Sequence, residues 1–171
     1  RPHCLATQPQ IQVALSAALK AGQILRDMRV GGFELTKKGA RDLLTSADLA
    51  AEKAVIEEIR AHFPDHHILS EEASPETTSS ILSQDAVWII DPIDGTTNFA
   101  HGHQMVATSI AFAVKGKIQA GVVHAPFLNE TFAAERTLGA TLNDRPIQCA
   151  NADHVGDFLV ATGFPYNRHQ T

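Results

Sequence analysis

The sequence predicts an α+β fold in which two N-terminal helices pack on a largely antiparallel sheet. Three observations point there. Apolar residues near the start recur at helical spacing, and from Ala86 onward they switch to short continuous runs and alternation. Tight polar turns separate the later runs, as in a meander. The 171 residues carry 44% hydrophobic and 19% charged side chains, enough to bury a core and suited to one domain.

From Ile11 to Met28, the residues Ile11, Leu15, Ala18, Gly22 and Leu25 fall on one helical face, and Gly31-Gly32 ends the helix. The polar stretch Thr36 to Asp42 reads as a mobile turn or hairpin. A second helix starts near Thr45, where Thr45 and Asp48 have the spacing of a capping box. Its core stripe is Val55, Ile56, Ile59 and Phe63, and Pro64-Asp65 stops it. Ala86 to Ile90 is a short buried strand ending at Asp91. Met105 to Val114 alternates, with Val106, Ile110, Phe112 and Val114 on one face, and Lys115-Gly116-Lys117 turns it into Ile118 to Val123. Thr131 to Ala134 and Leu159 to Thr162 are further strand candidates, Asn143-Asp144 is a turn between strands, and Ser74 to Ser83 is a polar surface loop. No internal repeat or low-complexity segment is present.

A net charge of −5 disfavours nucleic acid as the main partner, because neutralising a phosphate backbone requires clustered Lys and Arg. It suits a protein that gathers carboxylates around a divalent cation. Cys4 and Cys149 belong to no CxxC pattern; they read as free thiols, with a single disulfide as the alternative. No apolar run reaches the ~18 residues of a membrane span, and Arg1-Pro2-His3-Cys4 does not open a signal peptide. A cytoplasmic protein without membrane contact is the expectation.

The chemistry concentrates in Trp88-Ile89-Ile90-Asp91-Pro92-Ile93-Asp94-Gly95-Thr96-Thr97-Asn98-Phe99. A buried strand delivers Asp91 and Asp94 at its end, and Pro92 stiffens the turn and removes one backbone donor. Gly95-Thr96-Thr97 opens a helix whose free N–H groups can hold a phosphate oxygen. Carboxylates beside such a helix start repel a phosphate unless a cation lies between them, and hard oxygen ligands favour Mg²⁺. Upstream, Ile68-Leu69-Ser70-Glu71-Glu72 ends an apolar stretch in two acids, and Asp42-Leu43-Leu44-Thr45-Ser46-Ala47-Asp48 precedes it.

This order resembles that of inositol monophosphatases: Asp-x-x-Thr-x-x-Asp, a Glu-Glu pair, then Asp-Pro-Ile-Asp-Gly-Thr-Thr-Asn-Phe. The turn at Gly139 to Asp144 and the stretch Ala161 to Tyr166 also sound like family members. The resemblance implies a layered α/β sandwich of the sugar-phosphatase type, forming homodimers and inhibited by lithium. It implies two-metal, Mg²⁺-dependent hydrolysis of a small phosphorylated polyol or sugar, most simply inositol monophosphate, without a covalent phosphoenzyme. Relatives act on histidinol phosphate, fructose 1,6-bisphosphate or 3′-phosphoadenosine 5′-phosphate, and some bacterial members bind the transcription machinery. In those terms Glu71, Asp91 and the Ile93 carbonyl hold the first metal, Asp91 and Asp94 the second, and Glu72 a third through water. Glu71 and Thr96 position the attacking water, with Asp48 hydrogen-bonded to Thr96. Gly95 and Thr96 receive the phosphate beside Asp94. Lys37 and Asp42 lie in a mobile loop that closes over the site. The family's second signature, a Trp-Asp dipeptide, does not occur here, since the single tryptophan is Trp88. Residues 1–171 are therefore expected to form one N-terminal metal-binding region with the C-terminal half missing, and a truncated, non-catalytic interaction protein is the alternative.

Each assignment has a plainer alternative. Asp91 and Asp94 could be solvated acids of a strand-end turn, Glu71-Glu72 a solvated loop, Asp48 a capping-box acid only, and Lys37 and Asp42 loop charges. His66-His67 and His101-Gly102-His103 lack the i,i+4 spacing and Cys partners of zinc sites, and are expected to be surface or loop histidines.

Overall fold

A computed structural model of the chain describes residues 9–37, 43–70, 81, 84–151, 154–157 and 159. Helix α1 spans Pro9–Gly31 and helix α2 spans Ser46–His62. α1 buries Ile11, Ala14, Ala18, Ala21 and Leu25, so its inner face is built mainly of small side chains that allow close approach. Gly22 serves the same end: a Cβ there would sit 2.4 Å from Cδ2 of His124. In α2 the buried residues Ala47, Ala51, Val55 and Ile59 recur every fourth position. Ile56 and Phe63 are partly buried against the same core. Each fully buried Val or Ile contributes about 1.5–3 kcal/mol relative to exposure.

Between the helices, β1 (Leu35–Lys37) pairs antiparallel with β2 (Leu43–Thr45), a hairpin whose tip lies outside the described residues. Among the described residues the main sheet has seven strands in sequence order: β3 (His67–Ser70), β4 (Val87–Asp94), β5 (Ala107–Val114), β6 (Lys117–Ala125), β7 (Glu130–Glu135), β8 (Gly139–Leu142) and β9 (Arg145–Ile147). β3 runs parallel to β4 and every later pairing is antiparallel, so the fold is α+β with a mixed sheet. α1 and α2 cover one sheet face, over Trp88, Ile90, Ile110, Phe112, Ala120 and Val122. On the other face Val123 and Phe132 remain exposed. A 3-10 turn, Val155–Asp157, follows the last strand.

Two sequence expectations are corrected. The strand expected to end at Asp91 continues to Asp94, because the ladder to β5 resumes at Asp94↔Ala107 after an irregularity. Pro92 falls in that irregularity, where no N–H is needed, and its carbonyl accepts the Thr108 hydroxyl at 2.9 Å. The Gly139 to Asp144 stretch is a strand followed by a two-residue turn, with φ of 48° at Asn143 and 63° at Asp144. The Asn143-Asp144 turn does lie between two strands, β8 and β9, whose bounds the sequence pattern did not mark because both are short and β9 is wholly exposed. The stretches Ser74 to Ser83 and Leu159 to Thr162 lie outside the described residues except for Ile81 and Leu159. Cys149 is an exposed free thiol. Among the described residues, no helix is long and apolar enough to cross a membrane.

Candidate functional site

The end of β4 carries the densest polar geometry. Asp91 is half-buried, and its Oδ1 accepts the Ile93 N–H at 3.1 Å, which bends the chain back on its own carboxylate. The Ile93 side chain is buried in the core, so its carbonyl is presented by an anchored residue. Asp94 is exposed. Gly95 then adopts φ of +94°, a left-handed conformation that side chains disfavour. A Cβ at Gly95 would also lie 2.8 Å from the Met105 carbonyl oxygen. Glycine is required twice over. Helix α3, Thr96–Ala100, starts immediately after it.

The N-terminus of α2 meets this junction. Thr45 caps α2, accepting at its hydroxyl from the N–H groups of Ala47 at 3.2 Å and Asp48 at 3.4 Å. Asp48 Oδ2 accepts in return from the Thr45 N–H and hydroxyl, both at 2.7 Å, completing the capping box. Its second oxygen, Oδ1, accepts the Thr96 hydroxyl at 3.0 Å. The same hydroxyl lies 3.1 Å from the Ile93 carbonyl oxygen, so one proton is shared between two acceptors. Asp48 is only 8% exposed, and three donors satisfy its charge. Capping acid and Thr96 partner are thus one and the same residue, a combination open to a carboxylate because it has two oxygens.

The sequence-predicted residues divide into two groups. Asp48, Asp91, Ile93, Asp94, Gly95 and Thr96 are brought together at the β4–α3 junction and the start of α2. Lys37 ends β1, paired with Leu43, while Asp42, Glu71 and Glu72 lie outside the described residues. Ser70 pairs with Ile90, so the residues immediately preceding Glu71 and Asp91 are neighbours across the ladder. A cavity of about 340 Å³ opens there, lined by Leu69, Ser70, Ile89, Asp91 and Ser109 among others.

The histidine expectation holds for His101 and His103, which are exposed. His66 corrects it. Its ring is stacked against Phe63 and Phe112, with centroids 4.7 Å and 5.4 Å away. Its Nδ1 accepts the indole N–H of Trp88 at 3.1 Å. Burial pushes the His66 pKa below the usual histidine value, only partly opposed by Asp65. Among the described residues, no group of three or more His, Cys, Asp or Glu side chains could hold a metal.

One residue was missed by the sequence reading. Arg29, in the last turn of α1, donates to the His103 carbonyl at 2.9 Å and the Phe99 carbonyl at 3.3 Å. Its guanidinium carbon lies 3.7 Å from the Phe127 ring centroid and 4.8 Å from that of Phe99. Burial lowers its pKa. Both carbonyls are at least 70 residues distant, so no local pattern announces the contact.

Known proteins share this arrangement of elements. The chain is 38% identical over 162 residues to the Nus factor SuhB of Pasteurella multocida, covering 94% of this chain and 60% of that protein. The Escherichia coli K12 Nus factor SuhB is 37% identical, with 95% and 60% covered. The chain thus spans about 60% of the length of these curated relatives. Among solved structures, the extragenic suppressor protein suhB of Bartonella henselae superimposes with a TM-score of 0.75 at 36% identity, covering 85% of this chain and 56% of that one. The Thermotoga maritima IMPase gives 0.74 at 37%, with 84% and 54% covered. SaIMPase-II with bound inositol monophosphate gives 0.69 at 25%, with 85% and 51% covered. The sequence profile of the inositol monophosphatase family matches residues 6–171, and the chain belongs to that family.

Proposed function

We propose that residues 1–171 form the N-terminal metal-binding region of a Mg²⁺-dependent phosphomonoesterase acting on a small phosphorylated polyol or sugar, most simply inositol monophosphate. The observation that carries this reading is the Thr96 hydroxyl, held by Asp48 Oδ1 and the Ile93 carbonyl at the end of the strand bearing Asp91 and Asp94. Family membership and the inositol monophosphate bound to SaIMPase-II support it.

The donors at the junction fit Mg²⁺ by their chemistry. Asp91, Asp94 and the Ile93 carbonyl are all hard oxygens, and a carbonyl that accepts one hydroxyl keeps a second lone pair. Asp91, Ile93 O and Asp94 would hold cations together with Glu71, and with Glu72 through water. Bound there, Mg²⁺ supplies Lewis acidity toward the phosphate and lowers the pKa of water. The chain's own groups do the positioning. With its proton donated to Asp48 or Ile93, the Thr96 oxygen is left as an acceptor, and a water donating to it has a fixed direction of approach. Asp48 keeps that orientation because its other oxygen is pinned by Thr45. The Gly95 and Thr96 N–H groups would receive the phosphate, and Glu71 together with Thr96 would position the attacking water. Lys37 and Asp42 belong to the loop that closes over it. A homodimeric, lithium-inhibited, cytoplasmic enzyme completes the reading.

The test uses the complete gene product. Phosphate release from inositol 1-phosphate, histidinol phosphate, fructose 1,6-bisphosphate and 3′-phosphoadenosine 5′-phosphate is measured with and without Mg²⁺, beside Asp91→Asn. Mg²⁺-dependent turnover that Asp91→Asn abolishes supports the reading; absence of turnover on all four substrates overturns it. A second reading draws on the Nus factor SuhB relatives at 37–38% identity: an interaction protein that keeps the fold and dispenses with turnover. Restoration of a deletion strain by Asp91→Asn as well as by wild type would favour that reading.

A further inference from the structure

Helix α3 has five residues, too few to hold its own orientation, and it carries Thr96 on its first turn. Its N-terminal side is fixed by β4, Gly95 and Asp48. Its C-terminal side is fixed by a residue from a distant helix. The Arg29 guanidinium donates to the Phe99 carbonyl within α3 and to the His103 carbonyl in the loop that follows. It is seated against the Phe99 and Phe127 rings, so the cation cannot swing to water without breaking both stacking contacts. A positive charge on exposed C-terminal carbonyls is also the favourable sense for a helix dipole. The loop beyond α3 returns over its start: His103 N–H donates to the Asn98 carbonyl at 2.8 Å, and Asn98 Nδ2 donates to the Met105 carbonyl at 2.8 Å. Met105 O is the very atom packed against Gly95. Arg29 therefore braces both the end of α3 and the loop that closes on Gly95.

We propose that Arg29 is a positioning residue for the reaction, setting the orientation of α3 and hence of the Thr96 hydroxyl, without touching substrate or metal. This rests on the phosphatase reading above for its catalytic consequence, but not for its structural one. Arg26 provides the matched control: it is also in α1 and donates to a backbone carbonyl, that of Pro126 at 3.1 Å, but reaches the β6–β7 turn.

The experiment compares Arg29→Met, Arg29→Lys and Arg26→Met in the complete protein. In metal-free protein, backbone amide NMR of Gly95, Thr96 and Thr97 is expected to shift in Arg29→Met, to shift less in Arg29→Lys, and to stay in place in Arg26→Met. With Mg²⁺ and inositol 1-phosphate, kcat is expected to fall about ten- to a hundredfold in Arg29→Met, as for residues that orient a catalytic group. Arg29→Lys recovers part of the loss, and Arg26→Met leaves kcat unchanged. Because Arg29 acts through Thr96, adding Arg29→Met to Thr96→Ala costs little beyond Thr96→Ala alone. Unmoved amides in Arg29→Met, or kcat losses that multiply independently, overturn the proposal. If the wild type hydrolyses no phosphomonoester, the phosphatase reading falls, and the amide shifts alone decide Arg29. Should Arg29→Met fail to fold, Arg29→Lys decides by the same criteria.

Discussion

The β4–α3 junction and the β7–β9 meander are built from equally short segments but held by opposite means. In the meander, each strand pairs with the next in sequence, and its turns close on themselves. Asn143 bonds the Thr131 N–H through its side chain at 2.8 Å and the Thr131 carbonyl through its backbone at 2.9 Å, twelve residues away. At the junction the ladder breaks between Asp91 and Asp94, and the backbone is restrained by remote partners: Asp48, 48 residues before Thr96, and Arg29, 70 before Phe99. Breaking a ladder frees oxygens for chemistry, and the cost about that site is met by long-range polar contacts that fix what remains.

Substitutions at the two regions should therefore differ in kind. The largest effect is expected on turnover: Asp91→Asn should lower Mg²⁺-dependent kcat by well over about a hundredfold, more than loss of an orienting residue does. Phe132→Ala, in the meander, should leave kcat within a few-fold; an equal loss at both would erase the contrast. Asp48→Asn comes next. An amide has one acceptor for three donors, so an N–H must face either Thr45 or Thr96. It should lose about ten- to a hundredfold in kcat and about 1–3 kcal/mol of stability, read from steady-state kinetics and urea unfolding.

Two glycines with nearly equal dihedrals sharpen the comparison through stability alone. Gly95→Ala should cost about 2–3 kcal/mol, since strain at φ of +94° adds to a backbone clash with Met105 O. Gly139→Ala, at φ of +97° in the meander with nothing within 4 Å of a Cβ, should cost about 1 kcal/mol. Equal urea midpoints for the two would mean the Gly95–Met105 approach relaxes freely.

The smallest effect is on pH. Burial lowers the pKa of both His66, beside β4, and His124, in β6 and paired with Thr131 of β7, where its Nδ1 lies 2.9 Å from Thr131 Oγ1. For each, the unfolded chain takes up a proton that the folded ring excludes. Their stabilisation is complete above the ordinary value of 6.5 and is lost as pH falls through it toward the lowered folded value. The unfolding midpoint should decline from about pH 8 to about pH 5, and His66→Phe should flatten part of that slope. An unchanged slope in His66→Phe would place the titration elsewhere.

Much of this was legible in advance. The capping box at Thr45 and Asp48, the α2 stripe through Val55 and Ile59, the alternation in β5 and the Asn143-Asp144 turn are local patterns, each decided by residues within a few positions of one another. So was the Asp91 to Phe99 string, because its Pro and Gly dictate the backbone that presents the carboxylates. The bounds of β8 and β9 were not, since short strands draw their order from the neighbour they pair with. The parallel pairing of β3 with β4 was not either, nor His66 becoming the acceptor for the Trp88 indole, nor Arg29 reaching α3. The chain by itself determined the two long helices and the central strands, where the acidic groups lie, and which family's motif they form. Only the tertiary structure decided that one oxygen of Asp48 caps its helix while the other holds Thr96, and that a cation from α1 locks the far end of α3. Local propensity acts over one turn or one hairpin; a buried hydrogen bond between distant residues forms only when packing brings both ends out of water together.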